Sequence, residues 1–312
     1  MNYLTLDIGG SAVKYALMDD QMTISSHGSI PCLRDSMDSL LSPMRQIKDS
    51  IKEEYAGVAV SMPGKIDTEA GIAVTGGAFA FIDQAPMADI IQQIFQKPVT
   101  IANDGKCAAN AELHDGALKG ARSGAVVILG TGIGGGIIID GKVWLGNDFG
   151  AGEFSLLPTM YQEFSSFDPS MFGKKHFPVW AMDCSTASLV KQYCTVKNIA
   201  DHKQVDGKMF FDAYEDQEKE AVEVFRKFCD TFAVGIYTIQ SILDVEKIAI
   251  GGGISARPEV TEGIRDSVQA LFKKQLMRPF NQPEIVTCKF RNDANLIGAL
   301  QFHLERMKKS VQ

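Results

Sequence analysis

Asn103 and Asp104 close the stretch "TIAND" (100–104), where an apolar run ends in an amide and a carboxylate. A carboxylate in that place can take the proton of an alcohol held within hydrogen-bond reach, as transfer of a phosphoryl group to that alcohol requires. Asp is also a common helix cap, so this residue type alone leaves both roles open. Glycines supply the second ingredient, because they let backbone N–H groups approach an anion with no Cβ in the way. They cluster in "DIGGSAVK" (7–14), "GTGIGGG" (130–136) and "IGGGIS" (250–255), and the first of these adds the donors Ser11 and Lys14. Gly130, Gly132 and Gly135 spell G-x-G-x-x-G, but "IIIDGK" follows them and reads as a strand and a turn. A dinucleotide fingerprint needs a helix there, so the letters match and the context does not. No G-x-x-x-x-G-K-[ST] occurs, which removes the P-loop reading as well.

The elements that must carry these residues follow from apolar periodicity. Alternation over "YLTLDIG" and "AVKYALM" predicts two strands around the first glycine turn, closed by a polar turn at 19–21. A helix is expected over about 37–52, strands at 57–64 and 98–104, and helices over 85–95 and from Asp104 onward, with Asp104 near the N-cap. The plan of "YLTLDIGGSAVKYALMDD" returns in "AVVILGTGIGGGIIIDGK", which predicts two similar α/β lobes with a boundary near 117–120. Between about 154 and 185 the sequence is aromatic and without period, as in a functional or capping excursion. Helices return at 186–194 and 216–243, then a strand at 247–253, a helix from about 258 and a final amphipathic helix.

At 312 residues with 45% apolar and 22% charged residues, the composition is that of an ordinary globular protein. A net charge of −7 argues against a nucleic-acid or anionic-membrane surface. No apolar run reaches the roughly 20 residues of a membrane span, and the first residues lack a signal-peptide pattern, so a cytoplasmic location is expected. The six cysteines form no C-x-x-C pair, which fits reduced, buried thiols.

Taken in order, "DIGGSAVK", "AND", "GTGIGGG" and "IGGGIS" resemble the ROK family, and the resemblance runs on to "NLIGALQ" near the C-terminus. It implies an α/β, two-domain actin-like ATPase (ribonuclease H-like) fold with an inter-domain cleft. The domains would be 1–118 and 119–293, with the helix at about 294–312 packing back onto the first. The implied activity is an ATP-dependent kinase that phosphorylates the 6-hydroxyl of a glucose-type sugar or β-glucoside. Asp104 would be the general base, with Asn103, Glu153, Gly64 and Gly77 around the sugar. Gly9, Gly10, Ser11, Lys14, Thr131 and Gly132 would face the phosphates of ATP, and Gly252 and Gly253 the adenosine. Asp7 would orient Mg²⁺ through its water shell, since that ion keeps most of its waters. Lys14 matches the family position, though a hairpin lysine often simply points to water.

One region departs from the family. Its pattern G-E-x-G-H and the zinc loop after it are replaced here by "GEFSL" (152–156) and "KKHFPVWAMDC" (174–184), so no zinc site is expected. His176 and Cys184 then read as structural, two residues being too few for the usual four ligands. The segment "TGGAFAFID" (75–83) resembles the zinc-less branch that contains β-glucoside kinases. An N-acetylmannosamine kinase or a glucokinase of the same family is the alternative, and a non-catalytic sugar-sensing regulator is the alternative of another class. The family's DNA-binding repressors carry a module ahead of the first strand, which here starts at residue 3. The resemblance further implies a homodimer.

Overall fold

The computed structural model describes residues 1–274, 277 and 279–311, the last three by backbone alone. Gln312, the end of the expected final helix, lies outside the described residues. The chain forms two compact units, Met1–Gly120 with Gly136–Gly152 and Asn292–Gln312, and Ala121–Gly135 with Glu153–Arg291.

The first unit begins with β1 (Asn2–Ile8), β2 (Ala12–Asp19), β3 (Ile24–Pro31) and α1 (Met37–Ser50). There follow β4 (Val58–Met62), β5 (Ile66–Asp67), β6 (Ile72–Thr75), β7 (Asp83–Ala85), α2 (Met87–Phe95), β8 (Val99–Asn103) and α3 (Asp104–Asp115). Its main sheet has the order β3-β2-β1-β4-β8, and β5, β6 and β7 form a small separate sheet. β1, β4 and β8 run parallel, with Asp7 opposite Ser61 and Met62 opposite Asn103. Their polar residues therefore gather at one end of the sheet, the carboxyl end where open α/β sheets bind ligands. The strand interiors are fully buried (Leu4, Leu6, Val58, Val60, Ile101), as the continuous apolar runs require. β3 was not anticipated: its residues alternate between half-buried and exposed, and "ISSHGSIP" carries little apolar signal.

The second unit opens with β9 (Gly124–Leu129), and the chain returns to the first unit along β10 (Ile133–Ile139) and β11 (Lys142–Trp144). β10 begins inside the glycine run and pairs with β11 as a hairpin, so no helix follows the glycines. The second unit continues with α4 (Tyr161–Ser165), α5 (Trp180–Cys184), α6 (Thr186–Val196), α7 (Gly207–Glu215) and α8 (Lys219–Leu243). β12 (Lys247–Gly252), α9 (Pro258–Lys273) and β13 (Glu284–Thr287) complete it. β12 runs parallel to both β9 and β13. The last helix, α10 (Ala294–Val311), belongs to the first unit. It meets α3 at Gly298, where an added Cβ would lie 1.7 Å from the Cys107 carbonyl oxygen.

Candidate functional site

In the first unit the carboxyl ends of β1, β4 and β8 bring a set of polar groups together. Asp7, only 6% exposed, accepts from Ser61 Oγ at 3.1 Å and from Asn295 Nδ2 at 3.0 Å. Lys14 stands opposite Asp7 in the β1–β2 register, with Nζ 4.0 Å from Asp7 Oδ2 and a half-exposed side chain. Burial pushes the Asp7 carboxyl above its ordinary value, while Asn295, Lys14 and Ser61 pull the other way. An added cation would favour the ionised form there, so the site suits a carboxylate that faces a hydrated metal ion. The turn between β1 and β2 is closed by Gly9 N–H to Ala12 O at 2.9 Å, leaving Gly10 and Ser11 exposed.

The second set lies at the β8–α3 junction. Asn103, not Asp104, is the N-cap: its side-chain oxygen accepts the Lys106 N–H at 3.1 Å. Asp104 is the first helical residue, next to the cap as the sequence predicts. Asn103 Nδ2 donates to Gly64 O at 2.9 Å and to Asp104 Oδ1 at 3.0 Å, and Gly105 N–H donates to the same Asp104 oxygen at 2.8 Å. The Asp104 carboxylate is therefore aimed by two N–H donors, and both amide protons of Asn103 are spent inside the protein. Gly64 and Gly77 are close neighbours with φ of +99° and +58°. A Cβ on Gly64 would sit 2.2 Å from Thr75 O and 2.7 Å from Gly77 N, so glycine is what allows these two loops to touch.

In the second unit Thr131 and Gly132 lie exposed in the turn after β9, while Gly252 ends β12 and Gly253 follows it. Gly252 has φ of +94°, and a Cβ there would meet Leu129 O at 2.0 Å, which draws the two turns together. A cavity of about 610 Å³ opens beside them, lined by Leu129, Gly130, Thr131 and Gly253. Val190, Val205 and Ile254 give it apolar walls, and Lys191 and Lys203 add positive charge. The N-terminal residues Thr186 and Ala187 of α6 and Gly207 of α7 also line it, and Thr186 N–H donates to Gly130 O at 3.0 Å. Ser185 and Asp206 cap these helices through the N–H groups of Ser188 and Met209. Apolar walls, open glycines and helix N-termini with two lysines suit a flat base carrying phosphates.

Glu153 is exposed at the start of a 3₁₀ turn, Phe154–Leu156, whose Leu156 is also exposed. His176 Nε2 lies 3.1 Å from Asp183 Oδ1, and Cys184 is fully buried with its thiol pushed far up by burial. Among the described residues, three or more His, Cys, Asp or Glu side chains nowhere group as metal ligands would. No described helix is long and apolar enough to cross a membrane. Sequence reasoning missed Ser61 and Asn295 as partners of Asp7, the α7 side of the cavity, and Lys106. "NLIGALQ" carries part of the resemblance, yet nothing local ties its Asn295, or Ser61, to Asp7.

A model of the ROK family matches residues 3–306. The chain is 27% identical over 316 residues to a beta-glucoside kinase of Listeria innocua, covering 98% of each. A solved ROK family protein from Streptococcus pneumoniae, in complex with sucrose, shares 26% identity at a TM-score of 0.82, over 99% of this chain and 100% of that one. A ROK family glucokinase from Streptomyces griseus, in complex with glucose and AMPPNP, has a TM-score of 0.83 over 96% of this chain and 98% of its own. At 22% identity it is similar in fold.

Proposed function

This chain belongs to the ROK family and has its actin-like ATPase fold, and we propose that it is an ATP-dependent sugar kinase acting on the 6-hydroxyl of a glucose-type sugar or β-glucoside. The observation that carries this reading is the aimed carboxylate of Asp104 at the strand–helix junction, with its Oδ1 fixed by Asn103 Nδ2 and Gly105 N–H. Asp104 accepts the hydroxyl proton as the sugar oxygen attacks the γ-phosphorus, and ADP leaves as the bridging P–O bond breaks. Asn103 holds Asp104 in place, and its own contact to a sugar hydroxyl requires exchanging one of its internal bonds. Gly64, Gly77 and Glu153 are the further sugar contacts of this reading.

ATP is the phosphoryl donor, with its adenosine against Gly252, Gly253 and the apolar walls of the second unit's cavity. Thr131 and Gly132 take phosphate oxygens from that unit, and Gly9, Gly10, Ser11 and Lys14 take them from the first. Asp7 orients the water shell of Mg²⁺, which neutralises phosphate charge when bound. In this reading the β-glucoside preference goes with the loss of the family's His, whose place Leu156 takes. The protein acts as a cytoplasmic homodimer in this reading, with domains near 1–118 and 119–293.

Asp104→Asn tests it. Turnover is expected to fall by about 10²–10⁴-fold, with sugar binding by calorimetry retained, and a variant that phosphorylates at the wild-type rate overturns the assignment. Glucose, N-acetylmannosamine, cellobiose, gentiobiose and salicin form the substrate panel. A β-glucoside preference predicts fastest turnover on the last three.

A further inference from the structure

Lys106 lies two residues beyond Asp104 on α3, and its side chain is buried, at 1% exposure. Taking an ammonium out of water costs several kcal/mol unless acceptors or opposite charge face it. A helix surface offers lysine cheaper places, and an apolar side chain would fill this one at no such cost. The ammonium instead stands 3.5 Å from Asn103 Oδ1, the oxygen that already accepts the Lys106 backbone N–H. The other end of that amide donates to Asp104 Oδ1 and Gly64 O. With an ammonium and an N–H both facing its oxygen, the amide cannot turn over without setting donors against donors. The charges of Asp104, Asp7 and Lys106 all bear on the buried thiol of Cys107, the next residue along α3.

We infer that Lys106 is a positioning residue for the phosphoryl-transfer step. Its ammonium locks the Asn103 amide, which aims the Asp104 carboxylate, and its charge keeps that carboxylate ionised and ready to accept the sugar's proton. Lys106 keeps its own protons throughout: the hydroxyl proton goes to Asp104, the O–P bond forms, and the bridging bond to ADP breaks. The inference rests on the reading of Asp104 as the general base. Among the described residues, Asp7 on β1, with Lys14 of β2 4.0 Å from it, bears with Asp104 and Lys106 on Cys107 of α3, whose thiol burial holds well above its usual range.

The test uses the full chain, ATP with Mg²⁺, and whichever sugar of the panel the wild type turns over fastest. Lys106→Met removes donor and charge, while Lys106→Gln keeps a donor for Asn103 Oδ1 and removes only the charge. For Lys106→Met, kcat is expected to fall about 10–100-fold, with KM for both substrates within about threefold of the wild type. The acid limb of its kcat–pH profile moves up by roughly one pH unit. Lys106→Gln is expected to recover much of kcat at high pH and to retain the displaced limb, and it carries the test alone if the Met variant does not fold. Folded variants with the wild-type kcat and acid limb overturn the inference, as does a loss confined to KM. The two failures are separable. If Asp104→Asn turns over normally, the base assignment falls and this inference with it; if Asp104→Asn is dead and both Lys106 variants behave as wild type, this inference alone falls.

Discussion

The fully buried His303 on α10 couples the stability of the first unit to pH. Its Nδ1 meets Thr100 Oγ1 at 2.9 Å, and Tyr3 packs edge-on with ring centroids 5.5 Å apart. Nε2 has no hydrogen-bond partner and faces Gly57 so closely that a Cβ there would lie 2.3 Å away. A proton on Nε2 would thus be a buried, charged donor with nothing to receive it. Burial, with a smaller contribution from Arg306, lowers the imidazole from its ordinary 6.5 to about 4. Between these two values the unfolded chain binds more protons than the folded one, so stability falls as pH falls through that window. With a folded value of about 4, the loss between pH 8 and pH 5 is about 2 kcal/mol, rising to about 3 kcal/mol near pH 3. His303→Asn keeps a polar group at the Nδ1 position and does not titrate. Urea denaturation of both proteins across pH 8 to 5 measures the difference, and carboxylate contributions cancel because the two chains share them. The variant is expected to start less stable at pH 8 and to lose about 2 kcal/mol less on acidification. Parallel pH profiles would refute the argument.

Two further substitutions probe close backbone approaches. Gly64→Ala forces a side chain into φ +99° against Thr75 O and displaces the carbonyl that receives Asn103; turnover is expected to drop at least about tenfold, and steady-state kinetics with unchanged kcat would contradict it. Gly235→Ala on α8 puts a Cβ 2.2 Å from Trp180 Cε2; a stability loss of about 1–3 kcal/mol is expected by chemical denaturation, and a neutral result would mean the indole has room to shift.

What the sequence made legible was local. Glycine at strand ends, the polar close of "TIAND" and continuous apolar strands each declare themselves within a few residues. The "GTGIGGG" hairpin belongs here too, since "III" after it reads as a strand and β10 is one. What stayed hidden depends on contacts far along the chain. Ser61 and Asn295 reach Asp7 across 54 and 288 residues, and neither residue type advertises a partner. Lys106 reads by type as a solvated helix lysine, and only packing reveals that it is buried.

The aperiodic stretch after Glu153 is held by a different logic from the rest of the chain. Its neck is closed by backbone: Trp180 N–H donates to Leu157 O at 2.8 Å and Thr159 N–H to Pro178 O at 3.0 Å, around an antiparallel Pro158–Val179 bridge. Thr159 Oγ1 also donates to Asp183, whose Oδ1 lies 3.1 Å from His176 Nε2. Beyond the neck, Phe177 is the hub: Phe164, Phe167 and Phe172 surround it at centroid distances of 5.4, 4.7 and 5.9 Å. A loop closed at its base and packed on its own side chains needs no helical or strand period. Trp180 then anchors the neck against Phe232 at 4.7 Å. His176 stands beside Asp183, and Cys184 lies in the core. The chain that follows "GEFSL" is therefore held at its neck by backbone hydrogen bonds and beyond it by aromatic packing around Phe177.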